Sequence, residues 1–225
     1  MTFSNGETGP VPEPGGPPSW QVRALDRSLA DTRARSVERL SQFVAAARSL
    51  AEESGTSSFT VQQVVARSGQ SLKSFYRYFE SKDDVLLALL EEDIAVGALF
   101  LRDLIDAYED PVDRVHEWLV GLFELMAAGD QGYVMLLVRE HQRLSDSQPD
   151  QMRTAVAPFI ELLVGDLEAA TVVGAIRSGD PRRDAQLIFQ LALGAIRDLV
   201  SDNDDRSPEE VVAYLWDFCW RGLRT

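Results

Sequence analysis

Between Ser71 and Lys82 the chain gathers side chains suited to one kind of chemistry, hydrogen bonding to nucleic acid. Ser71, Leu72, Lys73, Ser74, Arg77 and Tyr78 fall within about two helical turns, a set that one helix can present together. Arg77 is the only long bidentate donor in the middle of that stretch. Its guanidinium is therefore the best candidate to read a guanine edge, with Lys73 next. Thr60, at the start of the preceding helical pattern, sits where free backbone N–H groups suit a phosphate. Other chemistries lack their residues. The sequence holds no Gly-rich phosphate loop followed by Lys, no serine nucleophile elbow and no HExxH pattern. Its two histidines, His116 and His141, and its one cysteine do not make a metal-ligand set, and the histidines read as structural or hydrogen-bonding groups. Asp202-Asn203-Asp204-Asp205 lacks the glycine and distal Glu of a calcium loop and reads as a turn between helices. No catalytic residue, metal or cofactor is expected, and the chain does not read as an enzyme.

Two short helices must hold this set. Thr60 followed by Gln63 fits a capping box, Val61, Val64 and Val65 form one apolar face, and Ser68-Gly69 ends the pattern. Ser71 caps the next helix. Its register turns Leu72, Phe75, Tyr76 and Phe79 towards an interior and Lys73, Ser74, Arg77 and Tyr78 outward. Ser81 with Asp84 opens a third helix. Two helices joined by a short Gly-containing turn make a helix-turn-helix, whose second helix can enter a major groove.

Over roughly residues 33–95 the sequence resembles the TetR family of bacterial one-component regulators. The resemblance rests on Phe43-Val44-Ala45-Ala46-Ala47 through Gly55, Phe59-Thr60-Val61, Val64-Val65-Ala66-Arg67-Ser68-Gly69, Ser71 through Phe79, and Ser81-Lys82-Asp83-Asp84-Val85-Leu86. Gln70 departs from it, standing where an apolar turn residue is usual, and so does Leu72-Lys73, where Lys or Pro followed by a small residue is commoner. The resemblance implies phosphate contacts from Tyr76 and Lys82, although Tyr76 also reads as a core tyrosine. It further implies a C-terminal cavity for a small hydrophobic effector and a homodimer built on the last two helices.

Composition agrees with such a division. At 225 residues and 45% hydrophobic the chain can bury a substantial core, and it lacks strand-like alternation. The expected fold is all-α: a Pro/Gly-rich disordered tail over residues 1–22, a three-helix DNA-binding domain over 23–81 and a helical ligand-binding and dimerisation domain over 82–225. A net charge of −14 looks wrong for a DNA binder until it is divided. Residues 20–82 hold ten Lys and Arg against six Asp and Glu, whereas residues 83–225 hold twelve against twenty-eight. Only the helix-turn-helix region is net basic. A single Cys, no signal-like leader and no apolar run long enough to span a bilayer suit a cytoplasmic protein.

Residues 20–32 read as a polar lead-in with Arg23 and Arg27, a solvated linker or a minor-groove arm. A first helix is expected from about Thr32 to Gly55 with Val37, Leu40, Phe43, Val44 and Ala47 inward; Arg33, Arg35 and Arg39 then sit near its N-terminus, where the helix dipole disfavours them. A long helix is expected from Lys82 to about Tyr108, with a bend possible at Gly97, followed by helices at Pro111–Ala128, Tyr133–Leu144, Gln151–Ala169, Ala185–Val200 and from Pro208 onward. Gly174 to Pro181 reads as a connector. Trp118, Phe123, Met126, Tyr133, His141, Met152 and Phe159 are the candidate cavity residues, on helices that enclose a ligand in the family; each also reads as plain core. The terminal helix is apolar around its circumference and needs cover from two sides, which a second copy can supply. Leu191, Ala195, Leu199, Val212, Leu215, Trp216, Cys219 and Trp220 are the candidate interface. The expected function is a ligand-responsive repressor that binds a palindromic operator as a dimer. The alternative is a helical ligand-binding or interaction protein that keeps the fold without operator binding.

Overall fold

The computed structural model describes residues 19–201 and 206–224, and apart from one isolated bridge their regular structure is helical. Residues 1–18, most of the expected tail, and the Asp202–Asp205 turn lie outside them, as does the side chain of Arg23. The chain divides into two compact units, residues 1–42 and 43–225.

The described part of the first unit is the opening stretch of α1, Ser19–Ser54. The expected lead-in over residues 20–32 is therefore helical. The segment contains neither Gly nor Pro and is rich in Leu, Ala and Arg, so propensity favours continuing the helix N-terminally. Thr32 Oγ1 donates back to the Ser28 carbonyl at 2.8 Å. Arg33, Arg35 and Arg39 stand in the helix interior, so the dipole argument against them lapses, and Val37, expected inward, is exposed.

The second unit holds the end of α1 and then α2 (Val61–Ser68), α3 (Leu72–Tyr78), α4 (Lys82–Ile105), α5 (Pro111–Ala128), α6 (Gln131–Ser147), α7 (Pro149–Val172), α8 (Pro181–Val200) and α9 (Pro208–Leu223). The start signals read from the sequence are real caps. Thr60 with Gln63, Ser81 with Asp84 and Ser207 with Glu210 each form a reciprocal capping box, and Gly69 closes α2 in the left-handed region at φ 67°. Phe43 of α1 meets Phe75 and Phe79 edge-on, at 5.4 and 6.1 Å between ring centroids, which seats α3 on α1.

In the body, α4 packs on α5, α6 and α7, while α7 also packs on α8 and α9 lies against α5 and α8. Gly97 does not interrupt α4. A Cβ there would stand 2.9 Å from Phe159 Cζ, so the glycine is a notch that admits the α7 ring. The connector after α7 is tied to the chain end: Arg177 N–H donates to the Leu223 carbonyl and Arg177 Nε to that of Gly222, both at 2.7 Å. Among the described residues, no helix is long and apolar enough to cross a membrane.

Candidate functional site

On α3, two rings hold the helix down and the rest faces out. Phe75 and Phe79 are buried, whereas Lys73, Arg77 and the cap Ser71 are exposed. Among the described residues no hydrogen bond or ion pair engages Lys73 or Arg77. Leu72 and Tyr76, expected inward, are 43% and 56% exposed, while Tyr78, expected outward, is half-buried like Ser74. The inward side is taken by Phe75 on the helix and by Phe79, its extended C-terminal cap, which both pack on Phe43 of α1. Leu72 and Tyr76 thereby join the outward set.

The α2 and α4 ends of this head are pinned. The exposed Thr60 hydroxyl accepts from Gln63 N–H at 3.3 Å. Lys82 Nζ donates to the Ser57 carbonyl at 2.7 Å and lies 5.6 Å from the Phe59 ring centroid, so this cation also braces the loop before α2. Ser57 Oγ in turn donates to Glu140 Oε1 at 2.6 Å. Glu140 is only 7% exposed and accepts from Arg143 Nε, whose two terminal nitrogens reach Asp83 at 2.8 Å each. The Asp83 carboxyl is held below its ordinary range by hydrogen bonding to Arg143, and the guanidinium is pushed up by the same pair. The α6 helix thus grips both the α1–α2 loop and the first turn of α4.

The other face of α6 lines a cavity of about 410 Å³ between α1, α4, α5, α7 and α8. Met126, Tyr133, His141 and Phe159 of the expected set line it, with Leu122, Val156, Phe189 and Leu193. Its polar end is built from three helices. Arg48 Nη1 donates to Asp93 Oδ1 and, at 2.9 Å, to the Tyr133 hydroxyl, which donates to Asp93 Oδ2 at 2.7 Å. Burial, followed by the bond to Asp93, pushes the Tyr133 phenol well above its ordinary value, so it stays protonated. Burial lowers the His141 pKa and keeps its ring neutral near pH 7.

Three expected cavity residues lie elsewhere. Trp118 is fully buried, its ring meeting Phe159 and Phe189 edge-on as core behind the cavity wall. Phe123 faces a separate hollow beside His116 and Val212. Met152 lines an adjoining groove of about 630 Å³ that shares His141, Val156, Phe189 and Leu193 with the cavity. Arg48 and Asp93 were missed, although their spacing carried a signal: Arg48 stands four residues from Val44 and Asp93 four before Gly97, each on an inward stripe.

The last two helices divide their apolar residues between inside and outside. Val212, Leu215 and Cys219, expected at an interface, are buried within the chain because that stripe of α9 packs on α5 and α8. Trp216 and Trp220 are half-buried and stacked, 5.8 Å between centroids. The outward stripe of α9 is Tyr214 and Phe218, 66% and 59% exposed, and α8 exposes Leu187 and Leu191; Ala195 and Leu199 are half-buried.

Residues 43–89 match the family described as bacterial regulatory proteins, tetR family. The helix-turn-helix segment is thus similar to that of the TetR family. Solved structures similar to this chain include FadR of Bacillus subtilis in complex with stearoyl-CoA, with a TM-score of 0.67 and 19% identity over 80% of this chain and 97% of that one. FadR of Thermus thermophilus in complex with lauroyl-CoA gives a TM-score of 0.67 and 19% identity over 81% and 94%. The reduced form of Escherichia coli NemR gives a TM-score of 0.57 and 22% identity over 79% and 95%. No match is found among curated proteins. These likenesses show that the chain shares its all-helical fold with those proteins.

Proposed function

We propose that this chain is a ligand-responsive, sequence-specific DNA-binding regulator, a cytoplasmic repressor that binds a palindromic operator as a homodimer and is released by a small hydrophobic effector. On this reading residues 23–81 read DNA, while residues 82–225 bind the effector and pair with a second copy. The observation that carries it is Arg48. It belongs to α1, whose Phe43 seats the recognition helix, yet it forms part of the cavity wall through Asp93 of α4 and Tyr133 of α6. Whatever fills the cavity meets the scaffold of the DNA-reading helix within one side chain.

An apolar chain suits the cavity lining, and two of the similar structures are complexes with acyl-CoA thioesters, ligands that carry such a chain. A cysteine-based signal lacks support: Cys219 is the only cysteine, is buried, and burial pushes its pKa up to about 11. The exposed apolar side chains of the last two helices, Leu187 and Leu191 on α8 and Tyr214 and Phe218 on α9, support pairing with a second copy. Such pairing would set two α3 helices in successive major grooves about 34 Å apart. Displacing α4 or the α1 end would spoil that spacing, and a hundredfold release needs about 2.7 kcal/mol of coupling. Selection of bound oligonucleotides from a random pool at moderate salt tests the proposal. A recovered palindrome is expected; an unenriched pool would favour a helical binding protein without an operator.

A further inference from the structure

Charge at the polar end of the cavity bears on what the effector can be. Arg48 is the only Lys or Arg lining the cavity among the described residues. Its single charge is already shared: Asp93 bonds it directly, and Glu92 lies 3.5 Å from Nη2. The Tyr133 hydroxyl spends its proton on Asp93, and His141 is a neutral ring at the far side, against Phe189 at 6.1 Å. The next cations, Arg153 and Arg182 in the adjoining groove, are likewise paired, with Asp150 at 2.9 Å and Glu161 at 2.7 Å. A carboxylate brought to the Arg48 end would be a third negative charge around one guanidinium, half out of water, and like charges this close oppose ionisation. Uncharged groups meet no such obstacle. Arg48 keeps N–H donors beyond those used, and the Tyr133 oxygen keeps a lone pair.

We infer that the Arg48 end of the cavity receives an uncharged hydrogen-bonding group on an apolar chain, an alcohol, ketone, ester or thioester, and turns away the corresponding carboxylate. Asp93 is the residue that sets this preference, by neutralising Arg48 in advance. The inference rests on the cavity being the effector site, and it adds the effector's charge class.

The test compares decanol, methyl decanoate and decanoate, using calorimetry and thermal shift on the full chain. In the natural protein decanol and the ester bind at least about tenfold tighter than decanoate. Asp93→Asn keeps the shape, frees Arg48, and raises decanoate affinity at least about tenfold while moving decanol by less than about threefold. If that variant does not fold, the ranking on the natural protein decides alone. Decanoate binding as tightly as decanol, with no gain in Asp93→Asn, overturns the inference but leaves the effector site standing. If none of the three binds, the effector-site reading falls and takes this one with it.

Discussion

Arg77 and Arg48 are the same side chain in opposite situations. Arg77 stands on a short helix with its guanidinium in water, and no acid of the chain engages it among the described residues. Arg48 is half-buried and closed by Asp93, Tyr133 and Glu92. On the proposed function, the difference follows from what each region does with charge. A surface that must bind phosphates and base edges gains by leaving its cations unspent, because neutralising phosphates supplies most of the affinity. A wall around an apolar space cannot leave a cation unpaired, because removing a charge from water without a partner is costly. The contrast extends to Lys82 and Arg143. Lys82 is half committed, to a carbonyl and a ring; Arg143 is fully committed, to two carboxylates.

The comparison can be broken most visibly at its committed end. Arg143→Ala leaves Glu140, 7% exposed, with Ser57 alone, and frees Asp83. It should cost about 2–4 kcal/mol in urea denaturation, below the fully buried limit because the Arg143 side chain is itself 43% exposed. A loss within 0.5 kcal/mol, roughly the surface-substitution range, would mean that the Glu140 cluster is not holding the head to α6. Arg77→Ala should leave stability unchanged, yet cost about 1–3 kcal/mol of discrimination at one base pair. Equal losses on operator and random DNA would remove it from base reading. Lys82→Ala should show both signs of its half-committed state. Binding weakens alike on every sequence with the salt slope reduced by about 1, and stability falls by about 0.5–1.5 kcal/mol from the lost bond to Ser57.

Much of this was legible in the sequence because caps and periodicity are local. Thr60, Ser81 and Ser207 announce their helices through a partner three residues on, and α5 begins at its proline as read. The start of α1 was misplaced because polar composition says little about helix where no breaker intervenes. Facing errors came from tertiary choices. Nothing in the repeat of α9 says which of its apolar stripes packs on α5; the chain buries Val212, Leu215 and Cys219 and leaves Tyr214 and Phe218 outside. Arg48 and Asp93 stand 45 residues apart, on different helices, so their pairing is a fact of packing that periodicity can hint at but not specify.

The smallest expected effect lies at the other end of the cavity, where the closed wall uses a neutral ring instead of a compensated charge. Burial holds the His141 pKa below its ordinary 6.5. The unfolded chain therefore binds a proton more readily than the folded one, and stability must rise with pH across the interval between the two values. The contribution is fully present above about 6.5 and is lost as the pH falls from there towards the folded value. His141→Phe removes the titration and keeps a ring beside Phe189. Its denaturation midpoint between pH 8 and 5.5 should therefore fall less than that of the natural protein. The carboxyls of Glu91 and Asp166, which burial lifts, are common to both proteins and cancel in the difference. Parallel pH profiles would mean that His141 takes up its proton in the folded chain as readily as in the unfolded one. The cavity would then hold a cation below pH 6.5, and carboxylates would gain a place to bind.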